Sequence, residues 1–178
     1  MRSCSALLMI LIFCGCSHEF EKTAKRYGGE AHFGVDNYWL MDFSDSPLTD
    51  EQFVEMCRET DLELVRRFWF SGTKITDAAF APLKDRKDLE AIDASATGIT
   101  DESIAQLVNS VQLTELRIQK TDVSNRCIPD LLTMKRLAVL YVYETNITPN
   151  GIRQLKQGLP NCIIWDNASR DAVIRPRN

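Results

Sequence analysis

The chain has 178 residues, of which 44% are hydrophobic and 26% are charged, so it is long enough to form one domain with its own core. Its formal net charge is -4, and its basic residues are scattered in pairs such as Arg66-Arg67 and Lys135-Arg136. A nucleic-acid-binding protein needs a concentrated basic surface, so this composition argues against nucleic acid as a partner.

The N-terminus has the pattern of an export signal. One basic residue, Arg2, precedes the apolar run Ala6 to Phe13. That run is too short to cross a membrane as a helix, which takes roughly 20 residues, but it fits the apolar part of a signal peptide. The following Cys14-Gly15-Cys16-Ser17 resembles a bacterial lipobox.

This resemblance implies that residues 1–15 are a signal peptide and that Cys16 is acylated and becomes the new N-terminus. The protein would then be exported and anchored by lipid at the cell envelope, on a membrane facing the periplasm or the exterior. Buried acyl chains hold a protein to a membrane by about 0.8 kcal/mol per CH₂ group. Free secretion and a retained membrane anchor remain open alternatives.

Residues 16–35 are predicted to be a linker and a partial N-terminal cap. Within them, Glu19 to Tyr27 forms a polar helix that Gly28-Gly29 ends. A stack of repeats needs closed ends, and we expect the aromatic residues Phe33, Trp39 and Trp165 to plug them.

A five-residue phrase recurs at a fixed spacing of 24 residues, as TKITD, TGITD, TDVSN and TNITP starting at Thr73, Thr97, Thr121 and Thr145. Apolar residues stand eight, five and three positions before each threonine and two, seven and ten positions after it. The residues five and three before it share one face of a strand, and those after it have the spacing of a short helix. Each unit is therefore predicted to be strand, turn, helix and return.

The start of each helix is marked by a hydroxyl residue at the N-cap, namely Thr76, Thr100, Ser124 and Thr148. The residues that follow suit the helix dipole or the first helical position: Asp77, Asp101, Asn125 and Pro149. The phrase threonines Thr73, Thr97, Thr121 and Thr145 are predicted to form a structural ladder, each bonding to the backbone of the next unit.

Weaker copies flank the array. Upstream, the unit beginning at Tyr38 has Ser46 in place of the threonine, and Thr49 to Gln52 forms a capping box. Downstream, Cys162, Ile163 and Trp165 make a truncated strand, with the register slipping by one residue near Leu159-Pro160.

The whole pattern resembles the bacterial leucine-rich repeat proteins whose units read LxxLxLxxTxITDxxLxxL and whose arrays close on LPNCxI, as Leu159 to Ile164 does here. The resemblance implies an α/β solenoid of about five to six units of ~24 residues. Short parallel strands would line its concave face and helices its convex face. The predicted repeat domain covers residues 36–168, and residues 169–178 are predicted to be a loose tail.

The concave positions lie six, four and two residues before each threonine, and they are the usual recognition surface of a solenoid. Trp, Tyr and Arg are the residues that most often anchor interfaces. The predicted partner-binding residues are Arg67, Trp69, Asp93, Glu115, Arg117, Tyr141 and Tyr143. Under the alternative interpretation, Arg117 only pairs with Asp93 and Glu115, and the tyrosines only fill sheet positions.

Reactive chemistry is not predicted. His18 and His32 precede the repeats, and the sequence has no metalloprotease, phosphate-loop or EF-hand motif. Asp36, Asp42 and Asp45 are the acids considered as a cation site, and we interpret them as solvated. Cys57, Cys127 and Cys162 are interpreted as small buried hydrophobes. No cofactor, metal or enzymatic activity is predicted.

The sequence thus predicts a non-enzymatic protein–protein interaction module with an unidentified protein partner. Mechanistically, rigid strands would display the concave side chains and limit the entropy lost on binding. A structural role, with solenoid ends stacking into oligomers, is the main rival, and the oligomeric state stays open.

Overall fold

The structure, a computed structural model, describes the backbone of residues 19–174 and the side chains of residues 19–170. The predicted signal peptide and its acylated residue Cys16, together with His18, lie outside the described residues. Within the described part, no helix combines the length and the apolar character needed to span a bilayer.

The strands form one seven-stranded sheet in chain order. The first pairs antiparallel with the second, and all later pairs are parallel. The bounds are β1 (Glu30–Phe33), β2 (Trp39–Asp42), β3 (Val65–Trp69), β4 (Ala91–Asp93), β5 (Glu115–Arg117), β6 (Val139–Tyr141) and β7 (Ile163–Trp165). The parallel strands confirm the predicted solenoid, whereas β1 was not foreseen.

Short helices return the chain from each strand to the next. They are α1 (residues 19–26), α2 (Asp50–Glu59), a 3-10 helix (Asp77–Leu83), α3 (Asp101–Gln106), a 3-10 turn (Asn125–Cys127) leading into α4 (Ile128–Leu131), α5 (Pro149–Gly158) and α6 (Asn167–Ile174). Pro82 lies inside the first 3-10 helix, where its missing N–H disfavours an α-helical bond. The capping box at Thr49 and Gln52 is confirmed.

The apolar columns form the core between sheet and helices. Every predicted column residue is buried except Ile152, which is half-buried. Phenylalanines fill the first units: the Phe53 ring lies edge-on to Phe70 at 4.9 Å, and Phe68 stacks on Phe70 at 5.6 Å. Each such side chain contributes roughly 1.5–3 kcal/mol by leaving water, so the 24-residue period is enforced by burial.

The N-terminal end of the core is closed by α1 and β1. The Trp39 ring is 3% exposed and lies between Phe20 of α1, at 5.3 Å, and Phe33 of β1, at 5.1 Å. This confirms that Trp39 closes the end, with Phe33 on its outer side. Gly29 permits the close approach of this segment, because a Cβ there would meet the Asp42 carbonyl oxygen at 2.4 Å.

The predicted threonine ladder is wrong, because the threonine hydroxyls do not bond to the backbone of the next unit. The hydroxyls of Thr73, Thr97, Thr121 and Thr145 donate to the carbonyl three residues earlier in the same unit, at 2.6 to 2.7 Å. The reason lies in the preceding residue, which has a left-handed backbone in every unit, with φ near +53° at Ala96 and +59° at Lys120. That turn points the hydroxyl back at its own strand end, so each threonine closes a turn and does not link units.

Successive units are linked instead by the residue after each N-cap. Asp77 accepts the backbone N–H of Thr100 at 2.8 Å and its hydroxyl at 2.7 Å. The same pair of bonds recurs at three other junctions: Thr76 to Asp50, Ser124 to Asp101, and Thr148 to Asn125. We call these contacts the unit clamps. The sequence pattern assigned these acids only to the helix dipole, so the clamps are a finding of the structure.

The C-terminal end differs from its prediction in two ways. Val139, Leu140 and Tyr141 pair with Ile163, Ile164 and Trp165, so β7 itself keeps the spacing of 24 and the predicted slip does not extend into the strand. In the turn before β7 the slip is present: the Cys162 N–H bonds to the Leu159 carbonyl as the Leu137 N–H bonds to that of Met134, a spacing of 25. Leu159 is the C-cap residue of α5. The loose tail predicted from residue 169 is also wrong for residues 169–174, which are helical because the Asp166 carboxylate accepts the N–H of Ser169 at 2.7 Å.

Removing one clamp should lower stability markedly. Asp77 also accepts the N–H and the hydroxyl of Ser103, a fully buried residue. We predict that Asp77→Ala lowers the free energy of unfolding by about 2 kcal/mol, because it leaves buried donors unpaired. Asp77→Asn should cost less, since Asn125 fills the equivalent position. Urea unfolding measures both, and equal losses would contradict the clamp.

Asp77 should also make the free energy of unfolding depend on pH. Desolvation would raise the pKa of Asp77, but hydrogen bonds from Ser103 and Thr100 outweigh it and hold the pKa below its ordinary value. The contribution to stability is therefore present above the unfolded-state pKa of about 3.9 and is lost as pH falls through the lower folded-state value. The stability difference between the native chain and Asp77→Asn should narrow in that acid range.

Candidate concave-face interface

The outward side chains of the sheet form straight columns because the strands pair in register. The middle column, four residues before each threonine and its equivalents, reads Asp42, Trp69, Asp93, Arg117, Tyr141 and Trp165. Neighbouring strands lie about 4.8 Å apart, so side chains from adjacent units touch. We call Trp69, Arg117, Tyr141 and Trp165 the concave strip; all four are half-buried.

Arg117 is the centre of the concave strip. Its guanidinium carbon lies 5.2 Å from the centre of the Tyr141 ring and 6.0 Å from that of Trp69. Its Nε donates to Glu115 at 2.6 Å, and its Nη1 lies 3.6 Å from Asp93. The ion pairs of the alternative interpretation are therefore present, and the same guanidinium also bridges two aromatic rings.

Asp93 belongs to the turn more than to the surface. It is 8% exposed, and its Oδ1 accepts the N–H and the hydroxyl of Ser95 at 2.9 and 2.6 Å. The Ser95 hydroxyl also lies 2.9 Å from that of Ser71 in the preceding unit. Asp93 therefore offers a partner little surface to contact and would act on it mainly through its negative charge.

Arg67 is held at the edge of the face. Its guanidinium pairs with Asp36, in the loop before β2, and with Glu90 at 2.9 Å. Desolvation would raise the pKa of Asp36, but the charge and hydrogen bond of Arg67, together with backbone hydrogen bonds from Asp36 and Tyr38, outweigh it and lower that pKa. Beside it, Arg66 lies over the Tyr38 ring at 3.2 Å and also pairs with Glu90. Contacts from outside its own unit therefore hold the Arg67 side chain in place.

Trp165 lies on the concave face, so the prediction that it plugs the C-terminal end is wrong. Its position 24 residues after Tyr141 would have indicated the concave face. The two rings stack nearly parallel, 6.0 Å apart at 6°. Tyr143, in the neighbouring column, has the guanidinium of Arg170 over its ring at 5.3 Å, and Arg170 also pairs with Glu144. The C-terminal part of the face is therefore mainly aromatic and cationic.

Nucleophilic and metal chemistry have no visible support among the described side chains. Burial raises the pKa of the Cys57 thiol to about 12 and that of Cys162 to about 11, and it also raises the pKa of Cys127. Thiols with such pKa values stay protonated and unreactive. Cys127 is buried as predicted, whereas Cys57 and Cys162 are only half-buried. In residues 19–170, no three His, Cys, Asp or Glu side chains are placed to hold a metal ion.

Together these features define an α/β leucine-rich repeat solenoid with a partly aromatic concave face. No protein-family model matches the sequence, and the comparison with curated proteins gives no match.

The solved structures that are similar to this chain include the following three. Internalin C2 from Listeria monocytogenes is 23% identical, over 58% of this chain and 42% of its own, with a TM-score of 0.47. An internalin, inlF, from the same organism is 19% identical, over 61% and 38%, at 0.42. The structure of PEPR1-AtPEP1 is 14% identical, over 78% and 19%, at 0.46. This chain spans less than half the length of each.

The charge of Arg117 should be nearly dispensable for folding. Arg117 and Glu115 are each about one-third exposed, at 36% and 33% of the side chain, and exposed ion pairs contribute roughly 0.2–1 kcal/mol. We therefore predict that Arg117→Met, which keeps the aliphatic stem, lowers the free energy of unfolding by about 1 kcal/mol or less.

Urea unfolding measures this change, with Glu115→Gln as the matched control from the other side of the pair. A loss several times larger would assign Arg117 to the stability of the fold and not to a displayed surface.

Proposed function

We propose that this protein is a non-enzymatic protein-interaction module that binds its partner on the concave face. The observation that supports this most is the concave strip, in which Trp69, Arg117, Tyr141 and Trp165 follow one sheet column. These residue types dominate the energetics of known interfaces. All four side chains also remain partly exposed in the folded chain.

The mode of binding follows from the rigidity of the scaffold. Sheet hydrogen bonds and unit clamps fix the spacing of the strip, and Arg117 is already held between two rings and a carboxylate. Little side-chain freedom remains to be lost when a partner docks, so aromatic contact area converts into affinity efficiently. The short array favours a partner that presents a small segment.

We propose further that the module is displayed at the cell envelope, tethered by lipid on Cys16. The support is the signal-like apolar run and the lipobox-like Cys14-Gly15-Cys16-Ser17. Secretion without a lipid is the alternative for the same signal.

A structural, oligomer-forming role is a second candidate. It is favoured by Ile163, a large apolar residue that is 61% exposed on the terminal strand β7. An exposed apolar edge strand is a known site of pairing between chains. A mass that is independent of concentration in light scattering would argue against this role.

Capture experiments test the concave strip. Trp69→Ala and Tyr141→Ala should each remove one or more specific proteins from the set that the native chain captures from an envelope extract, because each deletes an aromatic anchor. Mass spectrometry of the captured set measures this. Tyr38→Ala, at a half-buried aromatic residue outside the strip, is the matched control. An identical captured set for all variants would count against the concave site.

Acyl labelling tests the tether. In cells fed a radiolabelled or clickable fatty acid, the native chain should take up label and fractionate with membranes. Cys16→Ser should lose the label and leave the membrane fraction, because the acyl chains supply the membrane affinity. Cys14→Ser, two residues away, is the matched control and should stay labelled. Label that persists after Cys16→Ser would refute lipidation at this residue.

A further inference from the structure

A cavity of about 340 Å³ lies at the C-terminal end of the core, between α5 and the start of α6. Its apolar lining comes from Val142, Ile147, Pro149 and Ile152. We call it the end cavity. Its volume falls in the range of small-molecule pockets, about 300–1,000 Å³.

The end cavity exists because the apolar columns stop there. Val142 is followed, 24 residues later, by the carboxylate of Asp166 and not by another apolar side chain. Exposure rises accordingly: Ile147 is 7% exposed and Ile152 is half-buried, whereas their equivalents in the three preceding units are almost completely buried. The cavity wall is therefore core surface that a further unit would have covered.

The charged part of the end-cavity lining is cationic on balance. The Lys156 Nζ donates to Asp166 at 2.7 Å, and that carboxylate is 9% exposed, so these two charges cancel. Arg153 also lines the cavity. It donates to the amide oxygen of Asn150 at 3.2 Å, and it pairs with no carboxylate in the part of the chain whose side chains are described. The two cations and one carboxylate leave one positive charge beside an apolar floor.

We propose that the end cavity binds small amphiphilic carboxylates. Their hydrocarbon body would lie against the apolar lining, in which Ile152 and Pro149 are more exposed than Val142 and Ile147, and their carboxylate would lie at Arg153. The apolar wall rewards any hydrocarbon that leaves water, while the uncompensated guanidinium selects an anion, which it binds through charge-assisted hydrogen bonds. This site is separate from the concave strip, so neither proposal depends on the other.

Octanoate is the probe, and octan-1-ol is its uncharged match. In the full-length chain with labelled isoleucine methyl groups, octanoate should shift the signals of Ile147 and Ile152 saturably, and octan-1-ol should bind more weakly. Ala168→Trp, at an exposed residue that lines the cavity, should fill it and abolish the shifts. Arg153→Gln should weaken octanoate binding roughly fivefold and leave octan-1-ol binding unchanged, whereas Arg126→Gln, at an exposed arginine of the preceding unit, should change neither.

Three results would overturn the proposal. Octanoate shifts that survive in Ala168→Trp would place the ligand elsewhere. Equal affinity for both probes, unaltered in Arg153→Gln, would rule out anion selection. A mass that doubles with concentration while octanoate fails to bind would assign the cavity to a second copy of this chain. Arg153→Gln keeps the test decisive even if Ala168→Trp does not fold.

Discussion

The unit clamps hold the helix side of the solenoid together in the way that the strand hydrogen bonds hold the sheet side. At four junctions, from α2 to α5, a carboxylate or amide at the start of one helix accepts both the N–H and the hydroxyl of the next N-cap. Without them, short helices of four to ten residues would have few polar contacts that fix their separation. Because both sides are fixed, the concave columns stay straight, and the spacing of displayed side chains becomes a property of the scaffold.

Much of this fold could be predicted from the sequence, because burial acts on each unit alone. The apolar columns and the capping box need only the 24-residue period and local helix chemistry. The clamps could not be predicted, since an acid after an N-cap suits the helix dipole equally well and its partner lies in another unit. The left-handed turns were hidden too, because Ala96, Lys120 and Glu144 occupy them where glycine would have been a signal.

The candidate site shows the same division. The period alone places Trp69, Arg117 and Tyr141 in one column, and the step of 24 from Tyr141 would also have included Trp165. The burial of Asp93 and the capture of Arg67 by Asp36 could not be seen, because the first depends on a serine network between units and the second on a residue outside the repeat. The repeat therefore predicts which column a side chain occupies. Contacts that do not recur in every unit determine whether that side chain is free to meet a partner.

The concave strip and the end cavity meet at consecutive residues and yet face different surroundings. Tyr141 points outward at the end of β6, and Val142, the next residue, points into the core and lines the cavity. Alternation along an extended chain separates them, so the same stretch of backbone supports an aromatic surface on one side and an apolar pocket on the other. Both depend on the residues one unit further on: β7 adds Trp165 to the outer column, while Asp166 interrupts the inner one. The last unit therefore differs from the others in chemistry, although its backbone follows the same repeat.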